Sequence, residues 1–213
     1  MLNFIYLCTM SDPSAFKEDF VQTQILQAAR RLFQVHGFAK VTMDDVGKAI
    51  GKGRSSIYYY YKNKEEIFDA VVHTEVRETL AEMSREINKV TTTEQKLMAF
   101  ALTRLRTLQK SGAFYLSLDS GMDADTLSQF NKIKVMHHNL IIQQEGDLMR
   151  EIIKEGIAQK EVKPMVEKEL AMTIFILLSS IHGLKRELVL ANFEGLEPAV
   201  KGFAHLMLHG LRK

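Results

Sequence analysis

The sequence predicts an all-α protein in two parts: a three-helix helix-turn-helix unit near the N-terminal end and a larger helical region behind it. Three observations carry this. Apolar residues recur at helical spacing along nearly the whole chain, with no alternating strand pattern, internal repeat or low-complexity segment. The stretch Thr42 to Ile67, TMDDVGKAIGKGRSSIYYYYKNKEEI, reads as two short helices joined by a tight turn. Charge is also uneven: Arg30 to Lys64 holds eight Lys/Arg and two Asp, a net of +6, in a chain whose net charge is +2. Local basicity in a nearly neutral chain points to a phosphate-binding face more than to a generally sticky surface.

The 213 residues suffice for one or two small domains with real cores. The expected organisation is an N-terminal extension over 1–16, partly disordered, a helix-turn-helix domain over 17–66 with its motif at about 42–61, and a helical domain over 67–213. The first ten residues, MLNFIYLCTM, are apolar but too short to span a bilayer. No Lys or Arg precedes them and no small-residue cleavage site follows, so a signal peptide is not expected. Met10, followed by Ser-Asp-Pro-Ser, resembles a soluble start; the preceding residues are either an upstream start assignment or a short extension folded onto the surface. A single cysteine, Cys8, permits no internal disulfide and no cysteine metal cage, which suits a reducing cytoplasm.

The first helix is expected from about Lys17 to His36. Val21, Ile25, Ala28, Ala29, Leu32 and Phe33 line one of its faces, and Gly37 ends it. Thr42 then fits an N-cap, with Asp45 three residues on as in a capping box, and Val41 and Val46 as its hydrophobic staple. Asp44 and Asp45 place negative charge where the helix dipole favours it. Gly51 and Gly53 stop this helix and allow a tight turn. The next helix runs from about Arg54 to Tyr60 and carries Arg54, Ser55, Ser56 and four consecutive tyrosines. Asn63 with Glu66 caps a long helix reaching about Asn88, and Lys64 sits at its positive end.

Behind it, Thr91-Thr92-Thr93 precedes a helix from about Glu94 to Lys110, which Ser111-Gly112 is expected to break. A short segment around Phe114 to Leu118 and the loop Asp119-Ser120-Gly121 follow. Helices then cover about Asp123 to Gly156, bent near Gly146. Pro164 suits the first turn of the next helix. From Glu167 to Leu190 the helix is apolar nearly all round, as expected for an element buried on several sides. Leu196 to Leu211 supplies a second stripe that includes Phe203 and Met207. Ser179, Ser180 and Gly183 would let another helix approach closely. This pair of helices suggests a dimer seam made of four helices, on Ile174, Leu178, Ile181, Phe203 and Met207; the same stripe also fits a monomeric core.

Enzyme chemistry finds no support. No HExxH, nucleophile elbow, P-loop or dinucleotide fingerprint is present. His137 and His138 are adjacent and point to different helix faces, so they form no metal pair. His182 and His205 are expected to be packed or hydrogen-bonded. No metal and no cofactor is expected.

At His36-Gly37-Phe38, Thr42, Gly51, Ile57-Tyr58, Tyr60-Tyr61, Lys64 and Ile67 the chain resembles the TetR family of bacterial transcription regulators. The motif match covers about fifty residues. The resemblance implies a C-terminal helical domain that binds a ligand and dimerises. It further implies a homodimer on double-stranded DNA at a near-palindromic operator, and a hydrophobic or amphipathic small molecule that releases it. The implied activity is transcriptional regulation, most often repression, in a bacterial cytoplasm, on the nucleoid when bound. Arg54 is then the best reader of guanine, because its fork matches O6 and N7. Ser55 and Ser56 reach base or phosphate, and Tyr58 and Tyr59 reach phosphates or thymine methyls. Ile57 and Tyr61 belong to the small core. Thr42, Tyr60 and Lys64 match the family's phosphate clamps, and Gly53 stands where the family commonly has a phosphate-touching Ser. The family's ligand pocket falls on the middle helices, which offer Phe100, Leu105, Phe114, Tyr115, Leu118, Met122, Phe130 and Met136; eleven methionines suit an adaptable cavity. The alternative is an architectural DNA-binding protein without ligand sensing.

Overall fold

A computed structural model describes the backbone of residues 13–118, 122–191 and 196–211, and the side chains of these except 13–18, 108–117, 125, 126, 129, 184–191, 196, 197 and 208–211. The elements are α1 (Pro13–His36), α2 (Met43–Ala49), α3 (Arg54–Tyr60), α4 (Lys64–Ile87), α5 (Thr93–Ser117), α6 (Ala124–Ala158), α7 (Glu167–Ala191) and α8 (Leu196–Leu211). Among the described residues no strand occurs, and no helix is long and apolar enough to cross a membrane. Residues up to Val71 with Ser117–Met122 form one unit, and Val72–Leu116 with the residues from Asp123 onward form another.

The helix ends follow local chemistry. Gly37 and Gly51 close α1 and α2 with φ of 77° and 66°, the left-handed region that glycine enters without steric cost. Thr42 and Asp45 form the expected capping box at α2. Asn63 Oδ1 accepts from the Glu66 backbone N–H at 2.8 Å, so the cap of α4 is also as expected. Thr92 and Gln95 cap each other at the start of α5, at 3.3 and 3.4 Å.

Four expectations change. α1 begins at Pro13 rather than Lys17, because proline is preorganised for a first turn that needs no N–H. Helix α5 continues through Ser111-Gly112 to Ser117; one helical glycine costs only about 1 kcal/mol, which packing can offset. Helix α6 runs unbroken through Gly146. Pro164 lies ahead of α7, which starts at Glu167 with the Glu169 carboxylate accepting from the Val166 N–H at 3.2 Å. The expected extension up to residue 12 and the loop 119–121 lie outside the described residues.

The first unit is built on Phe33, Phe38 and Phe68, whose ring centroids are 5.3 to 5.7 Å apart. Ile25, Ala29, Val46, Ile57 and Ile67 are fully buried around them. Burying each large apolar side chain contributes roughly 1.5–3 kcal/mol, so this cluster holds the short helices α2 and α3 against α1 and the start of α4. Leu118, expected among the middle-helix apolar residues, is instead buried in this unit, and its carbonyl accepts from the Phe38 N–H at 3.3 Å.

The second unit has one continuous core. Met83 and Ile87 of α4, Phe100 and Leu105 of α5, Met149 and Ile153 of α6, and Leu170, Ile174, Leu177, Leu178 and Ile181 of α7 contribute to it. The start of α5 approaches α6 so closely that a Cβ on Gly156 would stand 2.4 Å from Thr93 Oγ1. The Glu161 carboxylate closes this corner by accepting from the Thr93 N–H at 2.6 Å.

Candidate nucleic-acid interface

Recognition by α3 depends on how it is held. Its one buried side chain is Ile57, while Arg54, Ser55, Tyr58 and Tyr59 are exposed and Ser56 and Tyr60 half-buried. A seven-residue helix is too short to be stable alone, so its position comes from what it packs on. Part of that support was not foreseen. Gly47, in the middle of α2, lies where a Cβ would stand 2.9 Å from the Lys52 carbonyl and 3.4 Å from Ile57 Cγ1. The Gly47 carbonyl also accepts from the Lys52 N–H at 2.9 Å. A glycine inside an otherwise helical run was the available signal. Gly47→Val should therefore lower the stability of this unit by roughly 1–3 kcal/mol, since the obstacle is backbone and cannot rotate away. A melting curve checks it; an unchanged Tm would mean that the turn tolerates the bulk.

The helix ends set the local electrostatics. Thr42 Oγ1 accepts from the Asp45 N–H at 3.2 Å and donates to Asp45 Oδ2 at 2.7 Å, and the Thr42 N–H donates to the same oxygen at 2.9 Å. The Thr42 hydroxyl, followed by its backbone N–H, holds the Asp45 carboxyl below the usual carboxylate range. Thr42 thus shapes the helix end with a hydrogen that is already engaged. Burial pushes the Tyr61 phenol up, in keeping with a ring that sits partly in the small core.

Arg54 lies along its own helix. Its Nη2 donates to the Tyr58 hydroxyl at 2.9 Å, and its guanidinium carbon stands 5.2 Å from the Tyr58 ring centroid. The hydroxyl holds the guanidinium further into its charged form. Tyr59 and Tyr60 meet edge to face at 4.9 Å. Gly53 is the N-cap of α3 and supplies no side-chain bond, leaving the backbone N–H groups of the first turn without a side-chain cap. Lys64 is turned inward: its ammonium donates to the Phe38 and Ala39 carbonyls at 3.1 Å each and stands 4.6 Å from the Phe38 ring centroid. Two of its three donors thus tie α4 to the turn that follows α1, which leaves one for a phosphate.

In the second unit, the residues expected to line a ligand pocket do not share one environment. Phe100, Leu105 and Phe130 are buried. Met136 is 55% exposed and is corrected to a surface residue, on the outward side of α6. The side chains of Phe114 and Tyr115 lie outside the described residues. The residues of the expected dimer seam meet the chain's own core to different degrees. Ile174, Leu178 and Ile181 are buried in the chain's own core, and Phe203 and Met207 are partly buried against it. The outward apolar face of these helices carries Met172, Phe175 and Ile176 on α7 and Leu206 on α8, followed along α7 by exposed Ser179 and Gly183.

A three-helix unit with an exposed, basic, tyrosine-rich second motif helix defines a helix-turn-helix protein. The model of the bacterial regulatory proteins of the tetR family matches residues 25–71. Over these residues the chain is similar to the TetR family. An HTH-type transcriptional regulator of Mycobacterium tuberculosis is 31% identical over 100 residues, 47% of this chain and 50% of that protein. The chain thus spans about half the length of such relatives. The fatty acid metabolism regulator protein of Bacillus subtilis is 25% identical over 148 residues, 70% of this chain and 74% of that protein. In fold, the chain resembles the fatty acid degradation regulator FadR from Bacillus halodurans, with a TM-score of 0.66 at 17% identity over 93% of this chain and 96% of that one.

Proposed function

We propose that the protein is a sequence-specific DNA-binding transcriptional regulator, acting as a repressor that a small molecule releases from a near-palindromic operator. The carrying observation is α3, whose one buried side chain is Ile57 and which presents Arg54, Ser55, Tyr58 and Tyr59 to solvent. The exposed face fits a major groove, and Arg54 reads guanine there by leaving Tyr58 or by using its remaining donors. Ser55, Ser56, Tyr58, Tyr59 and the α3 backbone beyond Gly53 supply base and phosphate contacts, while Tyr60, Lys64 and Thr42, the last by turning its hydroxyl from Asp45 to a phosphate, fix the register. One such helix reads few base pairs. Two copies paired through the exposed face of α7 and α8 would place α3 helices in successive major grooves, about 34–36 Å apart. This is binding work, done in the cytoplasm, with no catalytic step.

The effector is a hydrophobic or amphipathic small molecule held in the second unit. The fatty acid regulators among the relatives make acyl-bearing molecules the first class to screen. DNA and effector must then weaken each other by one and the same factor.

The experiment is footprinting on the chain's own promoter, followed by titration of the protected site. Arg54→Ala should lose roughly 1–3 kcal/mol on that site and relax its preference, with little change on random duplex. Equal binding of operator and random DNA by the parent protein would replace this reading with an architectural one.

A further inference from the structure

A half-open cleft of about 280 Å³ lies in the second unit, lined by His73, Thr74, Val76, Arg77 and Leu80 of α4 and by Gln144 of α6. We propose that this cleft binds a small monocarboxylate with a short hydrocarbon chain, and that it is the effector site of the ligand-responsive reading above, on which it rests.

The lining sorts into two halves. Arg77 offers a planar fork of donors that pairs with the two oxygens of a carboxylate in parallel. His73 stands one turn before it, on the same helix face. The His73 ring is set edge-on to the His137 ring, with centroids 5.9 Å apart at 87°, so it is a positioned group. The Thr74 hydroxyl and the Gln144 carboxamide add neutral donors. Val76 and Leu80, also one turn apart, form the apolar half, where methylenes belong and where a bare inorganic anion would gain nothing. Pockets for drug-sized ligands occupy about 300–1,000 Å³, so this one takes a short chain.

The two walls differ in stiffness. On α6, Gln144 precedes Glu145, whose buried carboxylate is ion-paired with Arg104 of α5 and lies 2.8 Å from His182 Nε2 of α7. That wall is tied to α5 by an ion pair and to α7 by the His182 contact. The other wall is α4, whose first residue, Lys64, holds the Phe38 and Ala39 carbonyls.

The test uses the full chain and four probes: sodium hexanoate, sodium decanoate, 1-hexanol and inorganic phosphate. Calorimetric titration should show saturable hexanoate binding, with weaker binding of the other three. Arg77→Gln should weaken hexanoate by about tenfold or more, as loss of a charge-assisted bond implies, and Gln144→Trp should abolish it by filling the cleft. Arg77→Lys, which keeps the charge without the fork, should fall between parent and Arg77→Gln. All three variants should bind the protected DNA site like the parent when hexanoate is absent, which shows that they are folded. Hexanoate binding that survives both Arg77→Gln and Gln144→Trp, no hexanoate binding at all, or equal binding of phosphate would each overturn the assignment. A parent chain that binds hexanoate but prefers no DNA sequence would instead overturn the proposed function and leave the cleft standing.

Discussion

Glu145→Ala should destabilise the second unit by about 3–5 kcal/mol, the range for breaking a buried ion pair from one side. The Glu145 side chain is 2% exposed and that of Arg104 is 8% exposed. Their carboxylate and guanidinium meet inside the helix bundle, and His182 joins from α7 at 2.8 Å. Removing the carboxylate leaves the Arg104 charge in a low-dielectric setting without its counter-ion, and the desolvation penalty then stands uncompensated. Glu145→Gln keeps the volume but leaves the same unpaired charge, so it should also be strongly destabilising. The double variant Arg104→Met with Glu145→Leu should recover most of the loss, because apolar residues of similar volume often replace a buried pair without net cost. Glu167→Ala is the control. Glu167 pairs with Arg150 at the surface, where its side chain is 70% exposed, and screening limits such pairs to about 0–1 kcal/mol. Urea denaturation of the four variants measures all of this. A Glu145→Ala midpoint no lower than that of Glu167→Ala would show that the buried ion pair contributes nothing.

The same residues mark the limit of what sequence reveals here. The helix-turn-helix was legible because its signals are local: Thr42 with Asp45, Asn63 with Glu66, and Gly37 and Gly51 at helix ends act within three or four residues. Glu145 was not legible, since an acidic residue on a helix ordinarily faces solvent and only its partners on α5 and α7 justify burial. Gly47 and Gly112 are both helical glycines, and periodicity alone assigned neither its role; only the neighbouring Lys52 carbonyl makes Gly47 specific. The cleft joins Arg77 to Gln144, sixty-seven positions apart in the sequence, through tertiary packing. The outward face of α7 was not legible for a different reason. Its apolar residues cover nearly the full circumference, so periodicity could not tell the face that meets the chain's own core from the face left outward.

That ambiguity yields the sharpest test of the assembly. Phe175→Asp combined with Leu206→Asp should give a folded monomer whose operator affinity falls on the order of 100-fold or more, because the gain from joining two half-site readers is lost. Phe175 is 65% exposed and Leu206 73%, so carboxylates there stay hydrated in a single chain and the fold has no reason to fail. In a dimer sealed through this face, the same carboxylates would be buried without partners, at several kcal/mol each. Ile181→Asp should behave in the opposite way. Ile181 is 2% exposed within the core of its own chain, so a charge there should unfold the second unit before it affects association. Sedimentation velocity and circular dichroism separate the two outcomes. A Phe175→Asp/Leu206→Asp protein that still sediments as a dimer would move the interface off this face. An Ile181→Asp protein that is folded and monomeric would return the seam to the inward stripe of Ile174, Leu178 and Ile181. The design of the pair turns on the fact that an apolar residue at a helix surface and one in a helix core answer the same substitution differently: the first loses a partner chain, the second loses its own.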